Sequence, residues 1–320
     1  MTILSSVLAT DPTLAACDAA LEAKAAQEKP RAYLGMSSIG ESCARKTWYR
    51  FRFAMREKFD VATLKRFADG HRTEELVIER LRLLDGITLV SHNKDGSQIG
   101  YKDHDGHFSG HLDGDILGIL QAPKTKHVLE VKCCSEKKFN ELKKAVAELG
   151  EKQALKKWNP VYYTQAQCYL AYHNCTRHYL VVATPGGRDW MGVRTEYDAA
   201  HAIQAVAKAK HIIQSSEPLD KISNDPSYFE CRYCSFSPVC HGGDMPDRSC
   251  RTCTHSSPVA QGMWHCQRFG KQLTLDEQIA GCPAHIFLKT LVPGEVIDAD
   301  ESSITYKLKS GAIWKDSEVK

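Results

Sequence analysis

Seven cysteines fall between Cys231 and Cys282, out of 13 in the whole chain of 320 residues. No other feature restricts the fold as strongly. Cysteines packed this closely either form disulfides or hold metal, and the redox compartment decides which. The opening MTILSSVLATDPTLAAC has no basic head and is cut by Asp11 and Pro12, so it does not read as a secretory leader. No apolar run approaches the roughly 20 residues that span a bilayer. The expectation is a cytoplasmic chain with reduced thiols whose close cysteine pairs bind metal.

The spacing divides those seven into two sets. Cys231, Cys234 and Cys240 read C-x2-C-x5-C, three thiolates on one side of a metal centre that needs a fourth ligand. His241 is one source, which would make a zinc site of three thiolates and one imidazole. Cys250, Cys253, Cys266 and Cys282 fit a tetrahedral zinc site of four thiolates. His255, His265 and His285 are alternative ligands, and the choice between Cys282 and His285 stays open. Too few apolar residues surround this set to make a core, so it reads as an appended module. Cys17, Cys133, Cys134, Cys168 and Cys175 read as core or surface residues.

Composition is ordinary for a globular protein, at 42% hydrophobic and 25% charged, which excludes a largely disordered chain. A net charge of +3 is too small to mark a nucleic-acid binder by bulk charge. Charge is uneven, however. Residues 124–157 hold ten Lys against five Glu, and residues 45–72 hold nine Lys or Arg against three acids. Both regions could line a phosphate backbone. Trp48, Tyr49, Phe51 and Phe53 alternate with Arg50 and Arg52; each reads more readily as core than as a base-stacking platform.

Periodicity places helices at 11–29, 61–84, 135–149, 161–173 and 198–214. Ser42 is the expected cap of a helix within 37–56, and Gly70 is expected to break or closely contact the 61–84 helix. Short β-branched runs from about residue 87 to 133 read as a mostly antiparallel sheet, with two more strands in HYLVVATP and WMGVRTEY. Short strands follow Phe287, with a hairpin turn at Ser310-Gly311.

One constellation carries chemistry. Glu130 and Lys132 share a strand face, and their apolar neighbours Val128, Leu129 and Val131 make that strand central. Asp113 lies near the end of the preceding strand. Two carboxylates and a lysine suit a hard cation, Mg²⁺ or Mn²⁺, that polarises a phosphodiester and activates water; the Val131 carbonyl could complete the coordination.

Asp113-Gly114, then Glu130-Val131-Lys132, then a helix resembles the PD-(D/E)xK nuclease core. Gln165 and Tyr169 resemble the Q-x3-Y motif of its RecB-like branch, and Gly70 to Glu74 resembles that branch's upstream helix motif. The resemblance implies Glu74 as a further ligand, with His71 competing. Cys43 ahead of the core, with Cys231, Cys234 and Cys240 after it, resembles the iron–sulfur branch that includes AddB-type and CRISPR-adaptation nucleases, and implies a [4Fe–4S] cluster. The implied fold is α/β (α+β), a restriction-endonuclease-like mixed central sheet flanked by helices. The implied domains are a helical segment 1–36, an iron–sulfur nuclease domain 37–245 and a zinc-like module with β tail 246–320. The implied activity is DNA exonuclease action in recombination or DNA processing, in a phage-type enzyme acting in the host cytoplasm and open to a recombination partner protein. A structure-specific endonuclease of the same fold and a non-catalytic DNA-binding scaffold are the alternatives.

Overall fold

A computed structural model describes residues 11–300 and 302–317. The first ten residues of the expected segment 1–36 therefore lie outside the description. Helix α1 (Pro12–Gln27) begins at Asp11, whose carboxylate accepts the Thr13 and Leu14 amides. Two residues, β1 (Leu34–Gly35), lead to α2 (Ala44–Phe51). The cap of α2 is Cys43, whose sulfur accepts the Lys46 amide, because the Ser42 hydroxyl is committed to Glu230. This corrects the assignment of the cap to Ser42.

The long helix α3 (Val61–Arg82) starts at Asp60 and is unbroken. Gly70 meets open space there, so neither the expected break nor a close contact exists. One glycine costs about 1 kcal/mol in a helix, which α3 offsets by burying Val77, Ile78 and Leu81.

The central sheet has five strands in the order β2-β5-β6-β7-β8. They are β2 (Thr88–Val90), β5 (Gly114–Leu117), β6 (His127–Cys133), β7 (Arg177–Ala183) and β8 (Trp190–Glu196). Pair β6–β7 is parallel and the other pairs are antiparallel, so the sheet is mixed. A parallel pair needs a long crossover. Three helices make it: α4 (Glu136–Leu149), α5 (Glu151–Trp158) and α6 (Pro160–Tyr172). Gly150, at φ 75°, ends α4 and starts α5, a helix that sequence periodicity did not place. Asn159 caps α6 through the Val161 and Tyr162 amides, with Pro160 in the first turn.

The strands expected to form one sheet divide into two. Strands β3 (Gly100–Asp103) and β4 (Phe108–His111) pair with β1 instead. The chain changes sheets at Leu112-Asp113, between β4 and β5. Leu112 is fully buried at that crossing, so Asp113 is held at the junction of two layers. Strand β6 is covered on both faces. Leu129 and Val131 pack with α3 residues, while Leu180 and Val182 of the neighbouring strand pack with α4–α6 on the other side. Helix α7 (Ala199–Gln214) lies against α6 and α2.

After a one-turn helix α8 (Phe229–Arg232) come β9 (Ser256–Pro258), β10 (Trp264–Cys266), β11 (Lys271–Leu273) and α9 (Leu275–Ala280). A three-stranded meander closes the described chain: β12 (Gly294–Ala299), β13 (Ser303–Leu308) and β14 (Ile313–Ser317). The cysteine-rich segment is not a free-standing appendage. Cys250, Trp264, Cys266 and Leu273 share one hydrophobic cluster with Trp48 and Phe51 of α2. Arg251, fully buried, donates to Phe51 O and Ala32 O at 2.8 Å each and to Gln278 Oε1 at 2.9 Å.

Candidate active site and cysteine clusters

The antiparallel register sets Gly114 opposite Leu129, which brings Asp113 beside β6. The Val131 amide donates to Asp113 Oδ2 at 2.7 Å. It is the Val131 N–H, not its carbonyl, that this contact engages. Glu130 is 4% exposed. Its Oε1 takes a contact from Lys132 Nζ and a hydrogen bond from Gln165 Nε2 at 2.9 Å. Gln165 Nε2 also donates to Tyr169 OH at 3.1 Å. The Tyr162 ring lies 5.3 Å from Lys132 Nζ, a cation–π contact that shields the ammonium.

Glu74 joins this group from α3, close enough that the Asp113 and Lys132 charges act on it. His71 is exposed on the same helix, which leaves Glu74 as the residue turned to the site. Gly110 allows the approach of β4 to α6: a Cβ there would stand 2.7 Å from a Tyr169 ring carbon and 2.8 Å from the Met36 sulfur.

Electrostatically the cluster is unbalanced. Burial, then the Asp113 charge, push Glu130 up to about 8, with Lys132 opposing. Burial and Asp113 likewise raise Glu74 to about 7. Asp113 is raised by burial, with Lys132 and the Val131 amide opposing. Burial works against the Lys132 ammonium, but Glu130 and Asp113 outweigh it and hold Lys132 above its ordinary value. Glu130 Oε2 and Gln165 Oε1 are buried without a hydrogen-bond partner. Three carboxylates against one ammonium, with an orphaned carboxylate oxygen, is a donor set that fits a hard divalent cation.

A further network adjoins it. His173 lies two helical turns beyond Gln165 on the Gln165–Tyr169 face of α6. Its Nε2 is 2.6 Å from Asp115 Oδ1, and its Nδ1 meets the Tyr101 hydroxyl. Lys126 pairs with the other Asp115 oxygen at 2.8 Å. Sequence reasoning missed these residues, although the i, i+4, i+8 spacing from Gln165 was the signal.

All 13 cysteines are free thiols. Cys43, Cys231, Cys234 and Cys240 line one cavity of about 200 Å³, together with Lys46, Tyr49, Phe236 and His241. Burial, then the Cys43 and Cys240 charges, raise Cys231. Cys250, Cys253, Cys266 and Cys282 form the second group: burial raises Cys250, and the other three thiolates raise it further. Both sets are gathered within electrostatic reach. Among the described residues, no three Cys, His, Asp or Glu side chains are closed into a ligand shell.

Trp48, Tyr49 and Phe51 are buried core, not a stacking surface. Much of the basic charge of 45–72 is engaged internally. Arg50 pairs with Glu41 and Glu57, Lys46 with Glu41, and Arg52 is buried against Ser215 O. Lys137, Lys143, Lys144 and Lys157 of the crossover helices are exposed. No helix among the described residues is long and apolar enough to cross a membrane.

No family model matches this chain. No curated protein matches it either. Among solved structures, SSO0001 is similar at 18% identity and TM-score 0.37, over 69% of this chain and 91% of that one. An alkaline exonuclease (LHK-Exo) from Laribacter hongkongensis is similar at 13% identity and TM-score 0.40, over 57% of this chain and 87% of that one. A phage related exonuclease from Haemophilus somnus 129PT is similar at 15% identity and TM-score 0.39, over 56% of this chain and 92% of that one. Likenesses at these scores leave function to be argued from the site itself.

Proposed function

We propose that the chain is a divalent-metal-dependent DNA nuclease of the PD-(D/E)xK type, acting as an exonuclease in recombination or DNA processing. The observation that carries this reading is the meeting of buried Glu130 with half-buried Asp113, Lys132 and Glu74, at a place where Glu130 Oε2 has no protein partner. A structural role alone does not account for one buried and two half-buried carboxylates around one lysine, since an unneutralised buried charge is costly.

Glu74, Asp113 and Glu130, with the Val131 carbonyl, would hold Mg²⁺ or Mn²⁺. Bound there, the ion supplies Lewis acidity toward the phosphate and lowers the pKa of a water. The remaining work falls to the chain. Lys132 stabilises negative charge developing on the scissile phosphate and orients the attacking water. Gln165 fixes Glu130 Oε1, and Oε2 is left without a protein partner. Tyr169 holds Gln165 in place. The exposed lysines of α4 and α5 give the DNA backbone a positive approach.

Cys43, Cys231, Cys234 and Cys240 would hold a [4Fe–4S] cluster. Cys43 lines the same cavity as Cys231, Cys234 and Cys240, and so is placed to supply the fourth thiolate. A single Zn²⁺ with Cys231, Cys234, Cys240 and His241, which lines the cavity too, is the competing centre. The cluster would tie the head of α2 to the segment after α7, and so contribute to folding free energy.

The test is degradation of end-labelled DNA with Mn²⁺ by wild type, Asp113→Ala and Lys132→Ala. Loss of activity in both variants is expected; equal activity in all three would remove the site. Iron and sulfide counts on anaerobically purified protein test the cluster, and colourless, iron-free, folded protein contradicts it.

A further inference from the structure

We propose that Cys250, Cys253, Cys266 and Cys282 hold one structural Zn²⁺ through four thiolates, and that this ion sets the position of Arg251, which locks the segment onto α2. The site is separate from the nuclease centre and does not depend on that reading.

The four thiols come from three separate pieces of backbone. Cys250 and Cys253 flank a single 3₁₀ turn, Cys250–Thr252. Cys266 ends β10, opposite Ser256 of β9. Cys282 follows Gly281, the C-cap of α9. Three are buried and Cys282 is half-buried. Backbone contacts bring these pieces together: the Cys253 amide donates to Cys250 O at 3.2 Å, the Ser256 amide donates to Cys253 O at 3.3 Å with Cys266 opposite it, and a Cβ on Gly281, next to Cys282, would stand 3.6 Å from the Ser249 Cα, next to Cys250. The fold, as well as the spacing, gathers the three pieces.

The surroundings suit thiolates. The His255 amide donates to Cys253 Sγ at 3.5 Å, and the Ile286 amide faces the same sulfur. Amides aimed at a ligand sulfur are the supporting bonds that orient metal thiolates. Lys271, paired with Glu277, lies within charge reach of Cys250 and Cys266. A tetrahedral dication would hold all four sulfurs as thiolates and offset half their charge.

The geometry turns His285 and His265 away from the sulfurs, while His255 Nε2, buried without a hydrogen-bond partner, is the imidazole that competes with Cys282. His285 is fully buried with Nε2 at 3.2 Å from Thr252 Oγ1, and its ring packs edge-on to Phe287 at 4.4 Å. It serves the turn, not the sulfurs. His265 precedes Cys266 on β10 and so faces the opposite side of that strand. Arg251 sits between two ligands, and its guanidinium reaches Phe51 O of α2, with Trp264 4.8 Å from it. Fixing Cys250 and Cys253 on one ion fixes Arg251.

Metal analysis of the anaerobically purified full chain tests the proposal. About one zinc per chain is expected, as for a single tetrahedral site. It should persist in Cys231→Ser and in His285→Gln, and be lost in Cys250→Ser and Cys282→Ser. Should those serine variants fail to fold, cobalt-substituted wild type decides: a four-thiolate absorption spectrum supports the site, and a spectrum with a nitrogen ligand overturns it. Folded wild type without zinc, or with iron beyond one cluster at these cysteines, also overturns it. Cys282→Ser and Arg251→Met should each shift tryptophan emission to the red as Trp264 is uncovered; unchanged emission refutes the link to Arg251. Asp113→Asn should keep its zinc, so failure of the nuclease reading is read separately.

Discussion

The carboxylate cluster makes stability depend on pH in a direction that a divalent ion should reverse. Glu130 rises from an ordinary 4.5 to about 8. Each unit is worth about 1.4 kcal/mol, so ionising Glu130 within the fold costs on the order of 5 kcal/mol if it acted alone. Titration shared with Glu74, Asp113 and Lys132 lowers that figure. Between about 4.5 and 8 the folded chain retains a proton that the unfolded chain has released. Without metal, the favourable contribution is full below that window and is lost as pH rises through it. A divalent ion binds the ionised, folded form, and adds about 2.7 kcal/mol at a hundredfold excess over its dissociation constant. For a chain of this length that is several degrees of melting temperature. Differential scanning fluorimetry should show a clear Mn²⁺-dependent rise near pH 8.5 and little near pH 5.5, where protons occupy the site. Asp113→Asn removes a charge that acts on both glutamates, so it should stabilise the metal-free protein at the higher pH and abolish most of the Mn²⁺ response. An equal Mn²⁺ shift at both pH values, or an undiminished shift in Asp113→Asn, would refute the reasoning.

Other perturbations follow from single contacts. Gln165→Ala removes a hydrogen bond to a buried carboxylate, worth about 1.5–3 kcal/mol, and should slow DNA hydrolysis roughly 10- to 100-fold while the circular dichroism spectrum is retained. Gly110→Ala drives a methyl into Tyr169 and Met36, and should cost about 1–3 kcal/mol in urea denaturation, with activity falling alongside. Arg251→Met strands the Phe51 and Ala32 carbonyls and Gln278, and should cost roughly 3–5 kcal/mol by the same assay; a change under 1 kcal/mol would mean that water replaces the guanidinium.

The candidate site residues that the structure brings together were legible because each rests on a local pattern. Glu130 and Lys132 follow from strand alternation, Gln165 and Tyr169 from the helical repeat, and the cysteine sets from short spacings. What escaped reading depends on distant partners. The division of residues 87–133 between two sheets turns on β1, a two-residue strand with no periodicity of its own. The helix α5, absent from the periodicity reading, turns on the positive φ of Gly150. Gly70 reads as a breaker, yet the burial of Val77, Ile78 and Leu81 in the later turns keeps α3 continuous. Arg251 looks like a solvated charge in sequence, and only the carbonyls of Phe51 and Ala32 explain its burial.

Helix α2 joins these themes. Its first turn begins on the sulfur of Cys43, and its last residue, Phe51, is gripped by Arg251 from between Cys250 and Cys253. One eight-residue rod therefore spans the two thiol centres like a strut bolted at each end. Slackening either bolt would loosen Trp48 and Tyr49 in the middle, so chemical damage at one centre would be felt mechanically at the other.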